Sequence, residues 1–355
     1  KGRGAPPTGG PFLLSQSLLF MNLKGIFHVN SRLGRYTGHR INHGPPGRAE
    51  TMLQWKEHFR MGIPAFDQEH RQIFKIAGQI LEIVQAPGIE EAGRMLALRQ
   101  ELNLLVSCFS EHAAREEAYM REIGYEGYGL HKMLHDDFRS TQMAKYRQIV
   151  ERDVCNKEEV WDFIGSEIGW LLEHIATADM AIVGKGVLNR PAARGLELAA
   201  VEREINRLLA ATLNIEANAA VASAQYAGEP FGEMICQKIV YRRAWRKSVV
   251  LCGVERSFVR RVARCLYGDV LGDKPDLVLS TMEVFSARFW ITLSRQLTGL
   301  DDNIDVCESR FLLEGTLADE LRGLEPAISL LFRSDYGKFF VATDSWCIGE
   351  RMKLA

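Results

Sequence analysis

Nine histidines punctuate the 355-residue sequence: His28, His39, His43, His58, His70, His112, His131, His135 and His174. Three precede residue 51, and none follows His174. Of the remaining six, five stand at spacings that could build one metal site. His112 and Glu116 are four apart, as are His131 and His135, and residues four apart share one face of an α-helix. His174 and Asp179 are five apart, slightly more than a turn. His70 follows the lead-in Gly62-Ile-Pro-x-Phe-Asp67. Imidazole suits first-row transition metals, and carboxylates can bridge two of them. Seven such groups exceed the four that one zinc ion normally takes. Two ferrous ions with Glu116, Asp179 and one hydroxide leave a single positive charge, acceptable among neutral histidines, and a coordination position stays free for a small molecule. A lone His-x-x-x-Glu pair on a helix means little; several pairs at one depth mean a site. His58 has no partner at ligand spacing and reads as a solvated side chain.

Such a site needs helices to carry it. Phe66, Ile73, Ile76, Ile80, Ile83 and Val84 recur at helical spacing until Pro87-Gly88 stops the run. A second helix is predicted from Glu90 to Ile123, a third from Gly129 to Asp153, and a fourth to Ile182. Asn156 is the expected N-cap of the fourth, with Glu158 and Glu159 in the first turn, where carboxylates suit the helix dipole. Four long helices with short connections over residues 52–186 give an up-down-up-down bundle. The depths agree as well. His70 lies 17 residues before Pro87, or about 25 Å along the helix at about 1.5 Å per residue. His174 lies 18 residues beyond Asn156, and His112, Glu116, His131 and His135 flank the turn between the second and third helices. All seven groups converge on one level near one end.

Over about residues 51–186 the sequence resembles bacterial hemerythrin. The likeness is carried by Trp55, Gly62-Ile-Pro-x-Phe-Asp-x-x-His70, His112-x-x-x-Glu116, Glu117-Ala-Tyr-Met120, Gly124-Tyr125, His131-x-x-x-His135 and Trp170-Leu-Leu-Glu-His174-x-x-x-x-Asp179. The resemblance implies two non-haem iron ions with an oxo or hydroxo bridge. His131, His135 and His174 would ligate one iron and His70 and His112 the other, with Glu116 and Asp179 bridging. O2 (or NO) would bind at the open position on the two-histidine iron. Leu171, three residues before His174, is read either as part of that ligand pocket or as core packing. Di-iron enzymes that activate O2 typically use four carboxylates and two histidines, including Glu-x-x-His. Nitrogen dominates here and the bundle has no Glu-x-x-His, which favours reversible binding over catalysis.

After a linker at 187–195 the pattern changes. Helices at Leu196–Leu213, Ser257–Leu266 and Asp276–Leu297 are mixed with strands at Met234–Tyr241, Ser248–Gly253, Ile328–Phe332 and Phe339–Ala342. The last two join through Asp335-Tyr336-Gly337, a hairpin turn. Residues 196–355 therefore read as a separate α+β domain, making the chain multi-domain. This half resembles the chemotaxis phosphatases of the CheX and CheC kind, through the stretch Lys247 to Arg264 and the helix bearing Glu283. That family's Glu-x-x-Asn reads Glu283-Val-Phe-Ser286 here. The shorter Ser hydroxyl would place water differently, so Glu283 and Ser286 are catalytic candidates without an expected phosphatase activity. A module that binds a response regulator, or that makes a homodimer, is the expectation. The whole then reads as an oxygen or redox sensor with a signalling output. The alternatives are an O2 carrier or store with a passive second half, and an aspartyl-phosphate phosphatase.

Composition is compatible. With 46% hydrophobic and 25% charged residues and a formal net charge of -1, the chain is an ordinary globular protein. It has no global electrostatic case for nucleic acid or an anionic membrane. The cluster Arg242, Arg243, Arg246, Lys247 is read as a solvated face without the interleaved aromatics that nucleic acid would need. Seven cysteines without a Cys-x-x-Cys pair suit reduced, mostly buried thiols in the cytoplasm. Residues 1–51 hold seven Lys and Arg against Glu50 and are rich in Gly and Pro, so a disordered extension is expected. Their apolar run Pro11–Leu23 falls short of the about 20 residues that span a bilayer.

Overall fold

The computed structural model describes residues 53, 55–185, 197–298 and 303–344; the expected extension at 1–51 and linker at 187–195 lie outside them. The Gly62-Ile-Pro lead-in turns the chain into helix α1, Pro64–Gln85. Gly62 takes a φ of +95°, and Pro64 occupies the first turn, where a missing N–H costs nothing. Asp67 clamps this turn by accepting from the Met61 and Gly62 amides at 2.8 and 3.1 Å. Helices α2 (Glu91–Glu122), α3 (Tyr128–Val150) and α4 (Lys157–His174) complete the bundle. Asn156 caps α4 as expected, accepting from the Glu159 amide at 3.3 Å.

Helix α4 does not stop at His174. It passes through a π-turn, Ile175–Asp179, and one further turn, Met180–Ile182. In a regular α-helix, residues five apart are rotated by about 140°, on different faces. The wider π-turn returns Asp179 to the face of His174, and such turns recur at functional sites.

The second half is built on one sheet of six antiparallel strands in the order β1-β5-β6-β3-β2-β4. The strands are β1 Ala220–Ser223, β2 Met234–Arg243, β3 Arg246–Glu255, β4 Asp305–Phe311, β5 Ile328–Arg333 and β6 Phe339–Thr343. Helices α5 (Leu198–Leu213), α6 (Arg256–Leu271) and α7 (Pro275–Thr298) share a core with one sheet face, including Ile239, Cys252, Leu293 and Phe332. The short α8 (Leu317–Leu324) covers the other face over Leu251 and Phe340. The hairpin at Asp335-Tyr336-Gly337 is present, and β5 pairs antiparallel with β6. Strands β1 and β4 and helix α8 are additional to the predicted elements. Both strands are sheet edges, and the Asp305–Phe311 run Asp-Val-Cys-Glu-Ser-Arg-Phe lacks apolar alternation because an edge tolerates charge.

Bundle and sheet pack together in one compact unit. The seam is α4 against α7. Gly165 and Gly169 stand four apart on α4, and a Cβ on either would lie 2.5 Å from a carbonyl oxygen of α7, that of Leu277 or Thr281. Their bare backbones let the helices touch, so α7 is a fifth helix of the bundle. Accordingly every residue from Phe163 to His174 is buried, the mark of a helix covered on all sides. The bundle core runs on without a break into Tyr267, Leu271 and Leu277.

Three expectations need correction. The basic cluster is the tip of the β2–β3 hairpin and is interleaved by an aromatic: Trp245 is 81% exposed, with the Arg246 guanidinium 4.7 Å from its ring centre. His58 is half-buried and lies on Phe59, ring centres 3.9 Å apart. Burial and neighbouring Lys56 lower its pKa. Cys265 and Cys307 are exposed rather than buried, and the cysteines described are free thiols. Among the described residues no helix is long and apolar enough to cross a membrane.

Candidate metal centre

The helical register carries seven side chains to one buried layer. His70 comes from α1, His112 and Glu116 from α2, His131 and His135 from α3, His174 from the end of α4, and Asp179 from the π-turn. Their donor atoms form two groups: Glu116, His131, His135, His174 and Asp179 in one, and His70, His112 and Asp179 in the other. All are buried. Asp179 belongs to both. Its Oδ1 lies 2.9 Å from His174 Nε2 and 3.3 Å from His131 Nε2, and its Oδ2 lies 3.2 Å from His70 Nε2. Glu116 Oε2 lies 3.1 Å from His131 Nε2, 3.4 Å from His135 Nε2 and 3.9 Å from His112 Nε2, so it too faces both groups.

These contacts make sense if a cation completes them. His70 and His112 approach Nε2 to Nε2 at 3.1 Å, and His174 approaches His131 at 3.1 Å and His135 at 3.2 Å. His112 Nδ1 meets Glu69 Oε2 at 2.8 Å, and His135 Nδ1 meets Glu117 Oε1 at 3.3 Å. A carboxylate at Nδ1 fixes the proton there and turns the Nε2 lone pair inward. Lone pairs at about 3 Å from other nitrogens repel unless a proton or a cation lies between them. Two nitrogens each about 2.1 Å from one ion are about 3.0 Å apart at right angles and about 3.4 Å apart in a tetrahedron. The observed 3.1–3.2 Å lies within that span. The residues present thus fit two cations.

The electrostatics point the same way. Burial and neighbouring Asp179 push the Glu116 carboxyl up, but His131 and His135 outweigh them and hold it below the carboxylate range. Burial also raises Asp179, and His174, His131 and His70 hold it well below its ordinary value. Burial presses His131 down, yet Asp179 and Glu116 bring it up to about 9. His174 falls to about 3, chiefly by burial, helped by His131 and His135 and opposed by Asp179. Two buried carboxylates that stay charged need positive charge beside them.

Aromatic rings wall the layer. Trp55 stacks near His70 at 5.7 Å between ring centres, and Trp170 lies between Phe138 and His174 at 4.0 and 3.9 Å, nearly parallel to both. Leu171 is buried in the bundle core. Sequence reasoning missed Glu69 and Glu117. The available signal was a carboxylate adjacent in sequence to a ligand, Glu69 to His70 and Glu117 to Glu116, but each serves a histidine on a different helix.

Glu283 and Ser286 are not brought to this layer. Glu283 Oε1 accepts from Ser309 of β4 at 2.9 Å, Ser286 donates to Gln237 of β2, and Gln237 donates to Ser309 at 2.8 Å. Glu283 is therefore no solvated helix charge; burial raises its pKa, against the Ser309 hydrogen bond and Lys145.

A bundle whose interior presents five histidines and two shared carboxylates has a donor set that could hold metal ions. Residues 61–185 match the hemerythrin family, described as the hemerythrin HHE cation binding domain. The chain is 28% identical over 129 residues to the bacteriohemerythrin of Clostridium acetobutylicum, 36% of this chain and 96% of that protein. It is 27% identical over 132 residues to the myohemerythrin of Theromyzon tessulatum, covering 37% of this chain and 92% of that protein. These likenesses span the bundle, so the sheet half has no counterpart in either relative. A CheC-like superfamily protein from Shewanella sp. PV-4 overlaps 40% of this chain and 92% of that chain at 12% identity with a TM-score of 0.28, too loose an overlap to argue from.

Proposed function

We propose that the bundle holds two non-haem iron ions and binds O2, or a related small oxidant such as NO, reversibly, and that the α+β half reports the state of this centre. The observation that carries the iron reading is the double role of Asp179, one oxygen toward each histidine group. His131, His135 and His174 would hold one iron and His70 and His112 the other, with Glu116 and Asp179 bridging them beside an oxo or hydroxo group. When bound, the irons supply an open, electron-rich coordination position for a diatomic ligand. The chain supplies the rest. Glu69 and Glu117 bind the Nδ1 side of two imidazoles and turn their Nε2 atoms inward, and Trp55, Trp170 and the buried core exclude water. Leu171 is assigned to the wall of the ligand pocket.

The reporting role is supported by the helix that the two halves share. Helix α4 carries His174 and leads directly to Asp179, and its other side lies along α7. A response regulator or a second copy of this chain would be the partner, in a cytoplasm that keeps Cys265 and Cys307 reduced. The phosphatase reading is disfavoured because the Ser286 hydroxyl is already committed to Gln237. A carrier with a passive second half is the competing reading, favoured by the bundle-length relatives. Metal analysis with an absorption spectrum of the aerobic protein tests the centre: two irons per chain with oxo-bridge charge-transfer bands are expected, and one zinc per chain would refute it. Equal partner binding by the reduced, oxidised and ligand-bound protein would remove the reporting role.

A further inference from the structure

His174 differs from His112 and His135 in its support: among the described residues its buried Nδ1 has no hydrogen-bond partner. Its ring is held instead by Trp170, stacked on it with centres 3.9 Å apart and planes 18° apart. Trp170 in turn carries the Arg288 guanidinium, 5.4 Å from its ring centre. Arg288 belongs to α7, the helix of the sheet half that lies against α4. Its Nε donates to Glu173 Oε2 at 2.7 Å, and Glu173 is the residue before His174 and 2% exposed. The other Glu173 oxygen accepts from Thr292 of α7, and the single Thr177 hydroxyl proton is shared between that oxygen at 3.0 Å and the Glu173 carbonyl at 2.8 Å. Thr177 lies inside the π-turn that sets the position of Asp179. Two residues of α7 thus grip the three features that aim His174 and Asp179: a stacked ring, the adjacent backbone and the π-turn.

We propose that Arg288 and Thr292 are positioning residues for the metal centre, acting through Trp170, Glu173 and Thr177, and that the same grip transmits a change at His174 or Asp179 to α7. The second clause rests on the iron-and-reporting reading above. The chemistry of the grip is specific. Arg288 pairs with the Glu173 carboxylate while its guanidinium stays near the Trp170 indole, and a lysine there would keep the charge but lose the planar group with its several fixed donors. A buried carboxylate gripped from both sides admits little slack, so a shift of the His174 turn must move α7 or break the pair. From α7 the route continues to Glu283 and Ser286, which precede Arg288 and Thr292 on the same helix, and through them to Gln237 and Ser309 of the sheet.

The test uses the full chain as wild type, Arg288→Ala, Arg288→Lys and Thr292→Val. Circular dichroism and melting of the iron-free proteins first establish folding. Iron release to a chelator is then timed, and amide exchange across residues 275–298 is compared with and without iron. Loss of support around a ligand typically weakens metal binding by about 10–100-fold. Release from Arg288→Ala is therefore expected to be at least about tenfold faster, with a shifted charge-transfer spectrum, and Arg288→Lys to recover part of the loss. Iron should slow exchange in α7 of the wild type and not of Arg288→Ala, and Thr292→Val should fall between them. A folded Arg288→Ala protein with wild-type iron release and an unchanged α7 response overturns the proposal alone. A wild type whose α7 ignores iron overturns the reporting role and the transmission together, and a wild type that takes up no iron overturns the centre itself.

Discussion

At the scale of single residues, the proposed centre would rest on side chains outside the seven-group layer as well. Glu69 accepts from His112 at 2.8 Å and is itself held by Arg115 at 2.7 Å. Exchanging it for Gln keeps the shape and removes the charge that fixes the imidazole proton. Glu69→Gln is expected to lose iron selectively from the two-histidine position by about 10–100-fold in affinity. Iron counted after dialysis should fall from two per chain toward one; retention of both would show that Glu69 is dispensable. Glu167 is a second case. It is 5% exposed, and burial pushes its carboxyl up to about 8, against neighbouring Lys145. An unfolded Glu loses its proton near the ordinary value of 4.5. Between that pH and about 8 the folded state holds the extra proton, so folding stability drains away as pH rises through this window. Glu167→Gln cannot ionise. In the iron-free protein it should match wild type at pH 5 and exceed it by up to about 3 kcal/mol at neutral pH, levelling off above about pH 8. Urea midpoints at three pH values check this, and a constant difference would contradict it. The clustering of the seven groups was legible because spacing along one helix encodes a shared face. Glu69, Glu117 and Glu173 were not, because the partner of each lies on another helix and is set by rotations that spacing does not encode.

At the scale of elements, the four bundle helices were readable from apolar periodicity, Pro87-Gly88 and the Asn156 cap. The π-turn was not: His174 and Asp179 read as slightly more than a turn apart, and a local widening brings both to one face. The fifth helix was also hidden. Gly165 and Gly169 carried no reading in the sequence, yet each marks contact with α7. An added methyl 2.5 Å from a carbonyl oxygen has to push two helices apart. Gly165→Ala or Gly169→Ala is expected to cost on the order of 3 kcal/mol, as overpacking in a close-packed seam does. Gly93 of α2 is the control: a Cβ there meets Ile89 at 3.9 Å, ordinary contact. Gly93→Ala should stabilise by about 0.5–1 kcal/mol through helix propensity alone. Opposite signs for the two kinds of Gly→Ala change, read by denaturant unfolding, would establish the seam; equal effects would remove it.

At the scale of the whole molecule, the four-helix bundle hides the outer face of its fourth helix beneath a second half. Edge strands β1 and β4 were unreadable for want of alternation and α8, amphipathic through Leu317, Leu321 and Leu324, for its brevity, but the consequential omission was this joint, since two separately legible patterns say nothing about whether they dock. The joint makes the bundle dependent on its neighbour. Without α7, the α4 face around Gly165, Gly169 and Leu172 would meet water, and Glu173 would lose both Arg288 and Thr292. A bundle cut after residue 185 is therefore expected to keep its helical signal, melt below the full chain and self-associate through the bared face, because exposed apolar patches of that kind seek cover. Light scattering and calorimetry on the cut and full chains, both iron-free, decide the matter. A monomeric fragment melting with the full protein would mean that α7 merely rests on the bundle, and the path from the metal layer to the sheet would lose its mechanical footing.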